Sequence, residues 1–277
     1  MKPLNIWPVS DRQRIKGIFT DIDDTLTTDG AITPDALAAL GELRAGGLSV
    51  IAITGRPVGW SEPFAVDWPV DAIVAENGAV LLQKMHQNDL KANEYGRKQL
   101  SKSYHQSDAL RTQNYARMQH ISQRILCELP GTLLAQDSAG RETDMAIDHS
   151  EFTQLPPEKI AQVVAFMQSE GMNATISSIH INGWFGAHNK LVGARWAVRV
   201  LFNRNLDAEI DHWAYVGDST NDQLMFEAVP NSIGVANVRR FEAQLASLPR
   251  YITDGERGKG FAEVAKAVLR AAASKLL

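Results

Sequence analysis

Residues 15–25 read IKGIFTDIDDT. The β-rich stretch 15–21 predicts a strand that ends on Asp21, with Asp23 two residues further on. Side chains at i and i+2 point the same way while a chain is extended, so both acids can face one site at the strand's carboxyl end. Similar apolar runs recur at 49–54 (SVIAIT), 71–75, 212–216 (HWAYV) and 232–236 (SIGVA). Helical patterns lie between or beyond them at 33–47, 189–202, 221–228 and 261–276. The first has Thr33 as N-cap, Pro34 at the first helical position and Gly46-Gly47 as the stop. Strands apolar on both faces, alternating with helices, predict an α/β fold with a doubly wound parallel sheet.

The middle of the chain reads differently. Helical periodicity covers 108–129 and 156–171, and half-alternating strand patterns cover 132–136, 143–148 and 174–182. Strands with one polar face predict an antiparallel sheet. The expected organisation is a parallel domain in two pieces, 1–82 and 187–277, around an inserted α+β domain, 83–186.

Composition bounds the function. The chain has 277 residues, formal net charge −4 and 44% apolar residues, an ordinary globular balance. Its longest aliphatic run, near 50–53, is far short of the roughly 20 residues of a membrane helix. The amino-terminal stretch MKPLNIWPVSDRQR has no continuous apolar core of a secretory signal. One cysteine, Cys127, fits a reducing compartment, so a cytoplasmic protein is expected, with no membrane partner. The negative net charge argues against a nucleic-acid partner. Residues 83–126 nevertheless hold eight Lys/Arg against three acids. That segment reads either as a solvated helical face or as a surface that attracts an anion.

Three polar clusters follow apolar runs. The first is Asp21-Ile22-Asp23-Asp24-Thr25, the second Thr54-Gly55-Arg56-Pro57, the third Gly217-Asp218-Ser219-Thr220-Asn221-Asp222. Taken singly, each also reads as an ordinary turn or helix cap. Close carboxylates repel unless a cation or a proton sits between them. A hydroxyl and free N–H groups at a strand end suit phosphate oxygens. Lys190 opens a predicted helix, where an acid is the usual residue.

In chain order these make Asp-x-Asp-x-Thr, Thr-Gly-Arg, Lys, then Gly-Asp-x-x-Asn-Asp. The set resembles the four motifs of the haloacid dehalogenase superfamily, over about 1–82 and 187–277. TDIDDTLT, ITGRP, ENGA and GDSTNDQLMF look like its branch with a type II cap of subclass B, which includes sucrose-phosphate, trehalose-phosphate and mannosyl-3-phosphoglycerate phosphatases. The resemblance implies a Rossmann-like core under an inserted cap. It also implies a phosphoric monoester hydrolase acting on a small phosphorylated sugar or glycosyl-phosphoglycerate. Asp21 would be the nucleophile and Asp23 the acid and base. Thr54 and Lys190 would hold the phosphoryl oxygens. Mg would be held by Asp21, Asp23 through its backbone carbonyl, and Asp218. Asp222 would orient Lys190 or a metal-bound water, with Gly55, Arg56 and Asn221 at the substrate. The dehalogenases lack an acid at the Asp23 position, so Asp23 favours phosphoryl chemistry. Asp24 stands where many relatives carry Gly.

In the inserted domain, Ser178, His180 and Asn182 are expected on one strand face, with Arg141 and Asp144 near another strand. That face reads either as solvent-exposed or, through His180 and Asn182, as the surface that reads the leaving group. The positive insert would favour an anionic leaving group. A sugar phosphomutase uses the same first steps, and a receiver-type phosphoacceptor domain shares Asp, Thr, Lys and Mg; these stand as alternatives.

Overall fold

The computed structural model describes residues 1–85 and 100–274. Its nine-stranded sheet has the order Lys2–Pro3, Tyr251–Ile252, Asn231–Gly234, Trp213–Gly217, Gly17–Thr20, Ser49–Ile53, Ala72–Ala75, Val80–Lys84, Leu100–Tyr104. The first seven pair in parallel and the last two antiparallel. The parallel strands are apolar on both faces because both faces are covered. Ile18, Val50 and Ala52 point into one core with Leu40 and Leu43 of helix Pro34–Ala45 and Phe261 of helix Arg257–Ala273. Phe19, Ile51 and Ile53 point into the other, with Ala194 and Val198 of helix Lys190–Phe202. Each fully buried Ile or Phe contributes roughly 1.5–3 kcal/mol, so this alternation fixes the register.

The strand order positions the site. Gly17–Thr20 lies between Ser49–Ile53 and Trp213–Gly217, all pointing the same way. Their carboxyl ends therefore deliver Asp21, Thr54 and Asp218 to one edge, where open α/β sheets bind ligands.

A second, four-stranded antiparallel sheet has the order Asn173–Ile176, His180–Trp184, Met145–Asp148, Leu133–Leu134. Helices Asp108–Glu128 and Pro157–Ser169 cover one face through Met118, Ile121, Ile125, Val163 and Met167. Ile147 and Ile181 point to those helices. Ala146, Asp148, His180 and Asn182 therefore occupy the opposite face. Two expectations differ from this arrangement. Residues 174–182 are not one strand: Ser177 Oγ accepts from Ile179 and His180 N–H, and that turn splits the run into a hairpin. The strand Leu100–Tyr104, within the 83–186 segment, joins the large sheet because Val80–Lys84 leaves an edge open to pair with it.

Helix Lys190–Phe202 is seated by backbone contact. A Cβ on Gly193 would lie 2.6 Å from Gly78 Cα, and one on Gly78, at φ +106°, would lie 2.2 Å from Asn189 O. The ENGA stretch thus sets where Lys190 stands. Gly193→Val should destabilise the protein by about 1–3 kcal/mol in urea denaturation, through overpacking, and lower activity. Gly41→Ala, at a helix position with nothing within 4 Å, should stabilise by about 0.5–1 kcal/mol. Equal behaviour of the two variants would contradict this packing.

Candidate active site

Asp21 leaves its strand with its N–H donating to Val216 O at 2.8 Å, which ties the first cluster to the strand before the last. Lys190 Nζ donates to Asp21 Oδ1 at 2.5 Å and to Asp222 Oδ1 at 2.6 Å. Asp222 is oriented further: Asp218 N–H and Ser219 N–H donate to its Oδ2 at 2.8 and 3.0 Å, and Tyr215 O–H donates to Oδ1. The absence of a Cβ on Gly217 leaves room for this carboxylate, which would otherwise sit 2.4 Å from it. Asp218 Oδ2 accepts from Asn237 Nδ2 at 3.1 Å, and Asn237 also donates to Asp24 O and accepts from Arg257 N–H.

Oxygens of Asp21, Asp218 and Asp222 lie within 4.8 Å of one another, all buried. Asp218 Oδ1 is buried without a hydrogen-bond partner. Burial, against the pull of Lys190, raises the Asp21 carboxyl above the ordinary carboxylate range. Burial, then the charges of Asp21 and Asp222, raises Asp218 well above it. For Lys190, burial opposes the charge, but the two acids outweigh it and raise its pKa. Hard oxygen donors with one orphaned oxygen fit a hard divalent cation. The Asp23 carboxylate points elsewhere, onto Arg56, at 2.9 and 3.1 Å from Nε.

Thr54 is buried, and its Oγ1 accepts from Arg56 N–H at 3.0 Å. Asp21, Gly55 and Asn221 line a void of about 10 Å³ that Asn182 and His180 close from the small sheet. That is room for about one water. A cleft of about 530 Å³ adjoins it, reached past Asp23 and Arg56 and walled by Phe152 and Ser178 on one side and Arg240 and Arg257 on the other. Its size suits a small organic group.

His180 and Asn182 are buried at this junction. His180 Nε2 pairs with Glu151 at 2.8 Å. Asn182 Nδ2 donates to Asp144 at 3.1 Å and Gly55 O at 3.3 Å, and Arg141 NH1 donates to the same carbonyl. The reading of this face as solvent-exposed is thereby excluded. Among the described residues, no cation of the insert lines the cleft: the cations there are Arg56, Arg240 and Arg257 of the large-sheet unit. Among the described basic residues of 83–126, Lys102 pairs with Glu62 and Glu142, Arg111 with Asp108, and Arg124 with Glu128 and Glu170. Residues 86–99 of that segment, with Lys91, Arg97 and Lys98, lie outside the described residues. Asp24, at φ +54°, is 2.9 Å from Arg257 Nε and faces the cleft.

The sequence did not single out Glu76, Asn237, Asp137 or Glu151. Glu76 is wholly buried and binds the small-sheet segment, accepting from Glu142 N–H at 2.9 Å and from Thr143 N–H and O–H, besides Val58 N–H at 3.0 Å. Burial raises its pKa.

The chain belongs to the haloacid dehalogenase-like hydrolases, whose family profile matches residues 18–264. A Streptococcus pyogenes serotype M6 protein, provisionally named a phosphatase, is 23% identical over 273 residues, spanning 90% of this chain and 96% of its own. The sucrose-phosphatase of Synechocystis sp. PCC6803, solved with sucrose and phosphate, aligns with a TM-score of 0.64 at 16% identity, over 92% of this chain and 98% of that one. A trehalose-6-phosphate phosphatase related protein aligns at 0.59 and 15%, over 94% and 99%. The reading of the chain as an enzyme, a phosphatase of this superfamily, agrees with the family and with the streptococcal relative. No helix among the described residues is long and apolar enough to cross a membrane.

A carboxyl whose pKa is raised on folding contributes its full stability below its unfolded value, and that contribution is lost as pH rises from there through the folded one. Raised Asp21 and Asp218 should therefore make the metal-free protein less stable as pH climbs above about 4. Millimolar Mg²⁺ should reverse the loss, and Asp218→Asn should flatten the pH dependence and abolish the Mg²⁺ effect. Melting curves across pH check this; a metal response that survives in Asp218→Asn would contradict the site.

Proposed function

We propose that the protein is a Mg²⁺-dependent phosphatase that cleaves a small phosphorylated sugar through an aspartyl-phosphate on Asp21. The observation that carries this reading is the buried constellation of Asp21, Asp218 with its unpartnered oxygen, and Lys190 on Asp21.

In this reading Asp21 Oδ attacks phosphorus while the bond from phosphorus to the ester oxygen breaks. Asp23 gives that oxygen a proton, then takes one from the water that attacks the phospho-aspartate and frees Asp21. Lys190, released from Asp21 by the arriving phosphoryl group, offsets its charge together with the Thr54 hydroxyl and nearby backbone N–H groups. Asp222 and Tyr215 keep Lys190 in place. Asp21, Asp218 and the Asp23 carbonyl would hold Mg²⁺, which when bound supplies charge neutralisation for the phosphoryl oxygens.

The 530 Å³ cleft takes the leaving group. Its wall of carboxylates, arginines and the exposed Phe152 suits a polyhydroxyl ring, which offers hydroxyls and apolar faces. The structurally similar proteins named for sucrose phosphate and trehalose 6-phosphate support a sugar phosphate. A void of about 10 Å³ beside Asp21 admits no phosphate, so the small-sheet unit must swing away for substrate to enter. Of the described residues in 83–186, those from 105 onward then supply the moving specificity domain in this proposal, since 83–84 and Leu100–Tyr104 belong to the large sheet.

Asp21→Asn should reduce phosphate release by at least roughly a thousandfold, with the fold retained. EDTA should stop turnover and Mg²⁺ restore it. A phosphate-release screen over sugar phosphates measures both. Substantial activity in Asp21→Asn, or full activity in EDTA, would contradict the proposal.

A further inference from the structure

One guanidinium joins the two sheets beside the site. Arg56 donates from Nε to Asp23, from NH1 to Asp137 at 3.2 Å and from NH2 to Glu151 at 2.7 Å. Asp23 belongs to the large-sheet unit, whereas Asp137 and Glu151 belong to the small one. Both partner acids are fixed from their own side. Arg141 NH2 holds Asp137 at 3.1 Å, and His180 holds Glu151 at 2.8 Å. The backbone N–H groups of Glu151 and Phe152 donate to Asp148, which makes the Glu151 turn rigid. Arg56 is only 5% exposed, so these contacts are screened little by solvent. Only arginine carries enough donors in one plane for three carboxylates.

When the small-sheet unit moves off, Asp137 and Glu151 go with it. Arg56 then keeps Asp23 as its sole partner of the three, in a wetter setting with the side chain free to change rotamer. We propose that Arg56, Asp137 and Glu151 are positioning residues that align Asp23 for proton transfer only when the small-sheet unit is shut over the site. This rests on the reading of Asp23 as the acid. In the step concerned, the Asp21–phosphorus bond forms and the phosphorus–oxygen ester bond breaks. The departing oxygen's electron pair takes the proton from Asp23, which ends as a carboxylate against Arg56. Because two other carboxylates share the guanidinium, Asp23 is oriented without being its only acceptor. The arrangement ties protonation of the leaving group to exclusion of water from the site.

Leaving-group basicity separates this role from a structural one. A sugar alkoxide needs the proton, whereas p-nitrophenolate departs without it. The test uses the full-length protein with Mg²⁺ and a series of aryl phosphates of graded leaving-group pKa, plus a sugar phosphate that the wild type turns over. In Asp137→Asn, at a residue outside the cleft wall, kcat/KM for the sugar phosphate should fall tenfold or more, and that for p-nitrophenyl phosphate by less than about twofold. The slope of log kcat/KM against leaving-group pKa should become steeper. Arg56→Lys should steepen the slope as well, since one ammonium cannot reach three carboxylates. Parallel losses with an unchanged slope, or no loss at all, would overturn the coupling while leaving the phosphatase reading intact. Failure of the wild type to hydrolyse any ester would remove that reading, and the coupling with it.

Discussion

The structure is organised around an unfavourable act: three aspartates with oxygens inside 4.8 Å are buried against a single ammonium. At that separation two full charges repel by about 3.5 kcal/mol at an effective dielectric of 20. Nothing local would hold them there. Two arrive because parallel strands on either side of one another end at the same edge. The third is pulled back over Gly217 by two backbone N–H groups, a tyrosine and Lys190. Lys190 in turn stands where the Gly78–Gly193 contact seats its helix. The large sheet and both of its cores are the scaffold that overcomes the repulsion, and the orphaned Asp218 oxygen marks where it is left unrelieved.

The small sheet faces this charge cluster with a surface that is polar but buried. Its contacts fall into two groups. Glu76, Asn182 and Arg141 join backbone and side chains around the Thr54–Gly55 loop and the 142–143 segment. Arg56 gathers Asp23 with two acids from across the junction. Glu151 shows how strong the second group is. Its burial would raise its pKa, yet hydrogen bonds from His180 and Arg56 hold it down at about 2. Charged contacts of this kind fix an alignment more than they add stability, since removing ions from water costs about what the pairing returns.

Much of this was legible in the sequence. Runs such as 15–21 and 49–54 announced a parallel sheet because burial on both faces leaves no polar alternation. The polar clusters that follow them converge because parallel strands end together, so Asp21, Thr54 and Asp218 could be named as one group before any coordinates. Lys190 was visible as a cation out of place at a helix start. Other features were hidden for physical reasons. The edge strand Leu100–Tyr104 is polar and half-exposed, and its place depends on a partner, Val80–Lys84, rather than on its own pattern. The break at 177–179 depends on one serine hydroxyl. Glu151 and Asp137 look like surface acids along the chain. Only the fold brings them to Arg56, over 95 and 81 residues of sequence separation. Of the two readings of the 83–126 charge, the solvated face fits its described members better: Lys102, Arg111 and Arg124 are answered by acids, and no described basic residue of the segment lines the cleft.

The central claim is that Asp21, and not water, first takes the phosphoryl group. The stereochemistry at phosphorus tests it most directly, using a phosphate ester made chiral with oxygen isotopes and hydrolysed in isotopically labelled water. Two successive in-line displacements, onto Asp21 and then onto water, give net retention of configuration. Retention is the result expected here, and inversion, the signature of a single direct attack by water, would contradict the account.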